Sequence, residues 1–348
     1  MRYNPLGRTG LFVSELCLGT MTFGQAGGRY AAASGVGQEA VDAILRRAVD
    51  AGLNFIDTAN VYANGQAEEI VGRSLRSLGL ARKDIVIATK FAHAVGSGPN
   101  DGGGSRAHIV AAAHASLRRL GVDHIDLYQM HGWDPATPVE ETLRALDDLV
   151  RQGVVRYCGV SNWAAWQVAT ALGIADRLGT SRFQSYQGYH SLVGRDIERE
   201  VVPMAAAEGL GLIAFSPLAG GYLTGKYRNG VKAGRRATVP FPPVDEARGA
   251  AVLAAMDGVA EGHGTTHEAI ALAWLRQQPG VTSTIVGVKG VDQLDANLAS
   301  LNVTLSPSDL AVLGEAGSLA PEYPGWMLAQ ASAARADLLR TGAVPAGH

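Results

Sequence analysis

Four ionisable or phenolic residues stand at or just beyond the carboxyl ends of short apolar runs. Asp57 and Tyr62 bound Asp57-Thr-Ala-Asn-Val-Tyr62, Lys90 closes Ile85-Val-Ile-Ala-Thr-Lys90, and His131 closes Ile125-Asp-Leu-Tyr-Gln-Met-His131. Packing requires none of them there. A phenol with a pKa of ~10 is a poor acid at neutral pH, but a neighbouring ammonium stabilises its phenolate and lowers that pKa. Lys90 is the expected ammonium for Tyr62. Asp57 is expected to hold that ammonium through a charge-assisted hydrogen bond, and His131 to donate to or orient a substrate oxygen. Such a set protonates a carbonyl oxygen while another group delivers a hydride.

For these residues to meet, neighbouring strand ends must share one rim. Short apolar segments recur at Ser14–Gly19, Leu53–Asp57, Ile85–Lys90, Ile125–His131, Val155–Ser161, Phe183–Gln187, Gly211–Ser216 and Thr282–Val288. Longer amphipathic segments separate them, from Glu39–Ala51 to Thr266–Gln277, with Val291–Leu301 after the last. The alternation predicts βα units and an α/β fold, a closed (β/α)8 TIM barrel. Adjacent parallel strands about 4.8 Å apart let their end residues touch. A chain of 348 residues lies within the range of a single barrel domain, 1–348. Arg2 to Val13 reads as an N-terminal β-hairpin, and Arg248–Gly262 as an extra helix. Gly96–Gly104 and Ala219–Pro243 are long βα loops, and a C-terminal tail, about 306–348, is expected over the active-site face.

Charge and composition exclude other classes. With 30 basic and 32 acidic residues, the formal charge is -2, which predicts neither nucleic-acid nor anionic-membrane binding. Met1-Arg-Tyr-Asn-Pro5 carries no apolar leader and no run approaches the ~18 apolar residues of a membrane span, so a cytoplasmic protein is expected. Cys17 and Cys158 lie in apolar segments and are expected to be buried free thiols. No HxH pair marks the first strand, so no metal is expected. Oligomeric state leaves no signal.

The stretch Asp57-Thr-Ala-Asn-Val-Tyr62-Ala-Asn-Gly-Gln-Ala-Glu68 resembles the signature of the aldo-keto reductase superfamily, whose members are NADPH-dependent (β/α)8 barrels. The resemblance continues in Leu6-Gly-Arg-Thr-Gly10, Leu18-Gly19-Thr20-Met21, Ser116-Leu-Arg-Arg-Leu120, Gly159-Val-Ser161-Asn162 and Ser216-Pro-Leu218-Ala219. It implies Tyr62 as general acid, Lys90 as the group that depresses its pKa, Asp57 as partner of the lysine, and His131 as the residue that polarises the carbonyl. It also implies that Gly19, Thr20, Met21 and Asp57 line an NADP(H) site. Ser161, Asn162 and Gln187 would bind the nicotinamide carboxamide, and Phe215 would stack on the ring.

The loop Ser216, Leu218, Gly220 to Lys226 offers backbone amides and one lysine to a pyrophosphate. No GxGxxG follows the first strand, so this is not a Rossmann site. Gly287, Lys289, Gln293 and Asn297 resemble the family's segment for the adenosine 2'-phosphate and adenine, with Lys289 or Arg236 as the phosphate partner. Met21, Phe23, Tyr30, Phe91, Trp133, Trp163, Tyr323, Trp326 and Met327 supply an apolar wall for a small-molecule carbonyl or alcohol, favouring aryl or other hydrophobic substrates. The related potassium-channel β subunits share a segment like Ser216–Tyr227. An NADP-binding redox sensor or regulatory subunit with slow turnover is therefore the alternative to an enzyme.

Overall fold

Eight parallel strands close on themselves: β1 Leu16–Gly19, β2 Phe55–Asp57, β3 Val86–Phe91, β4 Ile125–Met130, β5 Val155–Ser161, β6 Phe183–Tyr189, β7 Gly211–Phe215 and β8 Val281–Gly287. The computed structural model describes residues 1–25, 27, 31, 33–228, 236 and 239–340. Met1–Gly317 forms one compact unit and Ser318–His348 a second. In the first unit each strand pairs with its successor, and β8 closes against β1. Along each strand, side chains alternate between the barrel interior and the helix layer. Val86 and Ala88 join Phe55, Leu127 and Ile213 inside the barrel. Phe91 packs with Ile109 and Leu146 under the helices.

The helices form where apolar residues recur at helical spacing. In α1, Gln38–Asp50, the buried residues Val41, Ile44, Leu45 and Ala48 make one stripe facing the strands. α2 spans Gln66–Ser77, α3 Arg106–Leu120, α4 Val139–Arg151, α5 Ala165–Leu178 and α6 Val201–Glu208. The extra helix α7, Glu246–Gly262, starts two residues before the sequence pattern because Asp245 caps it, accepting from the Arg248 amide. α8 His267–Arg276 and α9 Val291–Leu298 complete the repeat.

Other boundaries also differ from the sequence pattern: β6 continues two residues past Gln187 to Tyr189, and two more shifts have clear physical reasons. Ser14 belongs to the hairpin, where it pairs with Tyr3, so β1 begins only at Leu16. The expected tail divides: a Ser306–Asp309 capping box starts α10, Pro307–Ala316, which packs against α7 inside the first unit. The second unit carries α11, Gly325–Arg340. Cys17 and Cys158 are buried and free. Among the described residues, no helix is long and apolar enough to cross a membrane.

Candidate active site

Register brings the chemistry together. Asp57 lies beside Gly19 on one side and Ala88 on the other, Lys90 lies beside Gln129, and Ser161 beside Gln187. Lys90 alternates inward from Phe91, so its long side chain runs into the barrel mouth and is fully buried. Its ammonium donates to Asp57 Oδ2 at 2.5 Å, to the Thr58 carbonyl at 2.9 Å and to the Tyr62 hydroxyl at 3.4 Å. Burial alone would push this ammonium's pKa down; attraction by Asp57 and then Tyr62 outweighs that and holds it above its ordinary value. The other Asp57 oxygen accepts from Gln187 at 2.8 Å and Gln129 at 3.2 Å. His131 meets Tyr62 edge-on, with ring centroids 5.8 Å apart. The structure thus brings Asp57, Lys90 and Tyr62 into direct contact and sets His131 beside the phenol.

The arrangement can move a proton. An ammonium locked between a carboxylate and a phenol keeps a cation against the oxygen that must become negative when the proton leaves.

The expected cofactor residues fall into three places. Ser161 and Phe215 end β5 and β7, Asn162 directly follows β5 and Gln187 lies two residues before the end of β6; Asn162 donates through Nδ2 to the His131 carbonyl at 3.1 Å and to the Ser161 hydroxyl at 3.0 Å. Asn162 holds a left-handed φ of 61° and Ser216 one of 52°. Thr20, just past Gly19 and close to Met21, is fully buried, and its hydroxyl has no partner within the protein. Amides, hydroxyls and one aromatic face on adjoining strand ends suit a nicotinamide. On the β7 loop, Leu218 immediately precedes a short 3-10 turn at Ala219–Thr224 that contains Gly220, and the Lys226 ammonium lies 5.2 Å from the centroid of the Tyr227 ring. Arg236 directs Nη1 to the carbonyls of Ala219 at 3.0 Å and Pro242 at 2.6 Å, which makes it a clamp on this loop. Beyond Gly287, Lys289 is exposed, its ammonium 3.5 Å from the Ser34 carbonyl, and its backbone amide donates to Gln293 Oε1 at 2.9 Å. Asn297 is buried one turn further along α9.

The expected substrate wall is only partly assembled. Trp133 and Trp163 meet edge-on at 4.7 Å just beyond β4 and β5, and Trp166, exposed at the start of α5, lies 6.3 Å from Trp133. Phe91 and Phe23 are fully buried instead. Phe91 faces the helix layer, 4.7 Å from the Tyr128 ring, and Phe23 sits in a cluster with Val36 and Tyr62. Strand alternation explains Phe91, since a neighbour of the inward Lys90 must point outward. Trp326 and Tyr323 belong to the second unit, where their rings are 6.1 Å apart. Tyr30 lies outside the described residues.

Sequence reasoning missed several neighbours of the tetrad. Gln129 precedes His131 by two residues, and that spacing alone puts it on the inward face. Asn60, inside the quoted signature, is buried with both amide atoms unpartnered within the protein. His93 packs on His131 with ring centroids 4.3 Å apart. The glycine-rich loop is pinned: Gly98 and Gly104 donate to Asp101 and Asp134, each at 2.7 Å.

Comparison with known proteins places this site in context. The model of the Aldo/keto reductase family matches residues 15–317. A probable voltage-gated potassium channel subunit beta of Arabidopsis thaliana is 38% identical over 316 residues, covering 87% of this chain and 92% of its own length. An uncharacterized oxidoreductase of Bacillus subtilis is 36% identical over 339 residues, 94% of this chain and 100% of its own. A putative aryl-alcohol dehydrogenase of Schizosaccharomyces pombe is 34% identical over 337 residues, 90% of this chain and 95% of its own.

Proposed function

The chain belongs to the aldo/keto reductase family, and from that premise we propose that it is an NADP(H)-dependent oxidoreductase interconverting aldehydes or ketones with alcohols. Tyr62 is the general acid in reduction and the base in oxidation. The observation that carries this reading is the fully buried Lys90 ammonium, 2.5 Å from Asp57 and 3.4 Å from the Tyr62 hydroxyl. Burying a charge costs several kcal/mol in desolvation, and two apolar residues would pack as well. Stabilising a phenolate is the use that offsets the cost.

In reduction the Tyr62 O–H bond breaks and its proton passes to the carbonyl oxygen. The phenolate left behind faces Lys90, which Asp57 keeps in place. His131 donates to the same oxygen and orients it. A nicotinamide held there would supply the hydride in reduction and accept it in oxidation. Ser161, Asn162 and Gln187 would hold its carboxamide and Phe215 its ring. Lys289 is the cation we assign to the 2'-phosphate, because Arg236 already serves two loop carbonyls. The edge-on Trp133–Trp163 pair favours aryl substrates, in line with the relative named as an aryl-alcohol dehydrogenase.

A regulatory, slowly turning NADP-binding subunit is the second reading, favoured by the 38% identity to a protein named as a channel subunit. NADPH consumption with a panel of aryl aldehydes and ketones, and NADP+ reduction with the matching alcohols, separates the two. Turnover on the order of 1 s⁻¹ or faster supports the enzyme. Tight NADPH binding without turnover on the whole panel supports the regulatory subunit.

A further inference from the structure

Immediately after Tyr62 the backbone does something costly. Ala63, Asn64 and Gly65 follow one another with φ of 47°, 54° and 92°. Two of the three carry a Cβ, at roughly 1–2 kcal/mol each for the left-handed conformation. Such strain persists only where the surroundings over-determine it. Here the surroundings are a buried carboxylate and its partners.

Glu68, in the first turn of α2, is fully buried. Its Oε2 accepts from Arg119 Nε of α3 at 2.6 Å, and its Oε1 accepts from the Thr89 hydroxyl at 2.5 Å. The Arg119 side chain lies against Gly65 so closely that a Cβ there would sit 2.7 Å from Cδ, and its Nη2 donates to Ser116 at 3.2 Å. Thr89 is the residue before Lys90 and faces the opposite side of β3. A short circuit results, running from Tyr62 through the strained turn to Glu68, across to Thr89, on to Lys90, and back to Tyr62.

We propose that Glu68, through Arg119 and Thr89, is a positioning residue that fixes the Tyr62 hydroxyl against the Lys90 ammonium. The inference rests on the acid role proposed for Tyr62. Glu68 touches neither substrate nor cofactor; it acts by tying the helix that follows the phenol to the strand that carries the cation. The charged or titratable groups facing Tyr62 are Lys90 from β3, Asp57 from β2, and His131 beyond β4 with His93 behind it. Beneath them lies the Cys17 thiol of β1, which burial and then Asp57 keep protonated. Glu68 faces Arg119 from α3 and Tyr128 from β4. With the circuit opened, the phenol drifts from its cation, and its pKa rises toward the ordinary ~10.

The test reads that pKa without turnover. Tyrosinate absorbance near about 295 nm is titrated in the whole protein and in its Tyr62→Phe counterpart, and the difference isolates Tyr62. The same pair is made in Thr89→Val, Thr89→Ser and Glu68→Gln backgrounds. We expect Tyr62 to titrate well below ~10 in the wild type and at least about half a unit higher in Thr89→Val and Glu68→Gln, with Thr89→Ser restoring the wild-type value. NADPH affinity should stay within about twofold. Should Glu68→Gln fail to fold, the two Thr89 variants decide the matter alone. A lowered melting temperature with an unmoved Tyr62 titration in Thr89→Val would overturn the proposal and leave the acid reading standing. An ordinary Tyr62 pKa in the wild type would sink both.

Discussion

The two rims of this barrel handle buried charge and backbone strain in opposite ways. At the amino rim Glu15 is closed on every side: the Arg2 amide donates at 2.7 Å, its guanidinium lies at 3.1 Å, and the nearly buried Arg276 at 2.5 Å. These partners hold the Glu15 carboxyl below its ordinary pKa although burial, the largest single influence, raises it. Turns there use glycine for left-handed backbone, as where Gly121 and Gly209 end their helices at φ of 66° and 70°. Among the described residues, every non-glycine residue with positive φ lies at the carboxyl rim instead: Ala63, Asn64, Ala92, Asn162, Ser216 and Ala219 all follow strand ends, beside left-handed glycines such as Gly65 and Gly220. Strain accepted where a glycine would remove it points to geometry kept for use. Under the proposed function, one rim serves stability and the other chemistry, the division expected of such barrels.

The sharpest way to break that contrast is to remove a charge from each rim. Lys90→Met at the carboxyl rim should lower carbonyl reduction by at least about a hundredfold near neutral pH while the protein remains folded by circular dichroism. Wild-type turnover in that variant would end the claim that Lys90 assists Tyr62. Glu15→Ala at the amino rim should do the reverse. Stranding Arg276 should cost about 3 kcal/mol or more in urea unfolding, with turnover per folded molecule within about twofold. A variant equally stable but catalytically impaired would erase the distinction.

The asymmetry between rims was also an asymmetry of legibility. The strands stood out because each is a short apolar run, and the acid, lysine, phenol and histidine stood out because they interrupt such runs at one end. Alternation then decides direction: residue by residue it turns Phe91 outward and Gln129 inward. Partners far apart in sequence were hidden: nothing local ties Glu68 to Thr89 and Arg119, or Arg236 to the carbonyls of Ala219 and Pro242. Loops have no period, so the purpose of a loop arginine cannot be read from spacing.

Smaller effects refine the carboxyl rim further. Lys289→Ala should weaken NADPH binding roughly tenfold and leave NADH unchanged, measured by tryptophan quenching. Arg236→Ala, by loosening the loop, should weaken both cofactors alike. The opposite pattern would exchange their assignments. A last and gentler test concerns Glu198, whose carboxyl burial would raise but whose hydrogen bonds from His190 and Arg195 bring it down from an ordinary 4.5 to about 2. A depressed folded pKa stabilises the fold above the unfolded value and loses that contribution as pH falls toward the folded one. The stability gap between wild type and Glu198→Gln should therefore shrink as pH drops from 4.5 toward 2. A gap that widens with acid would reverse the sign.

The proposed function turns on one proton. In a single turnover with NADPH-loaded protein and 4-nitrobenzaldehyde, stopped-flow absorbance follows cofactor oxidation for wild type and Tyr62→Phe. The account predicts a rate at least about a hundredfold slower in the variant, with NADPH affinity preserved within about twofold. Equal rates in the two proteins would contradict it, because the phenol would then not be the acid that the buried Lys90–Asp57 pair is arranged to serve.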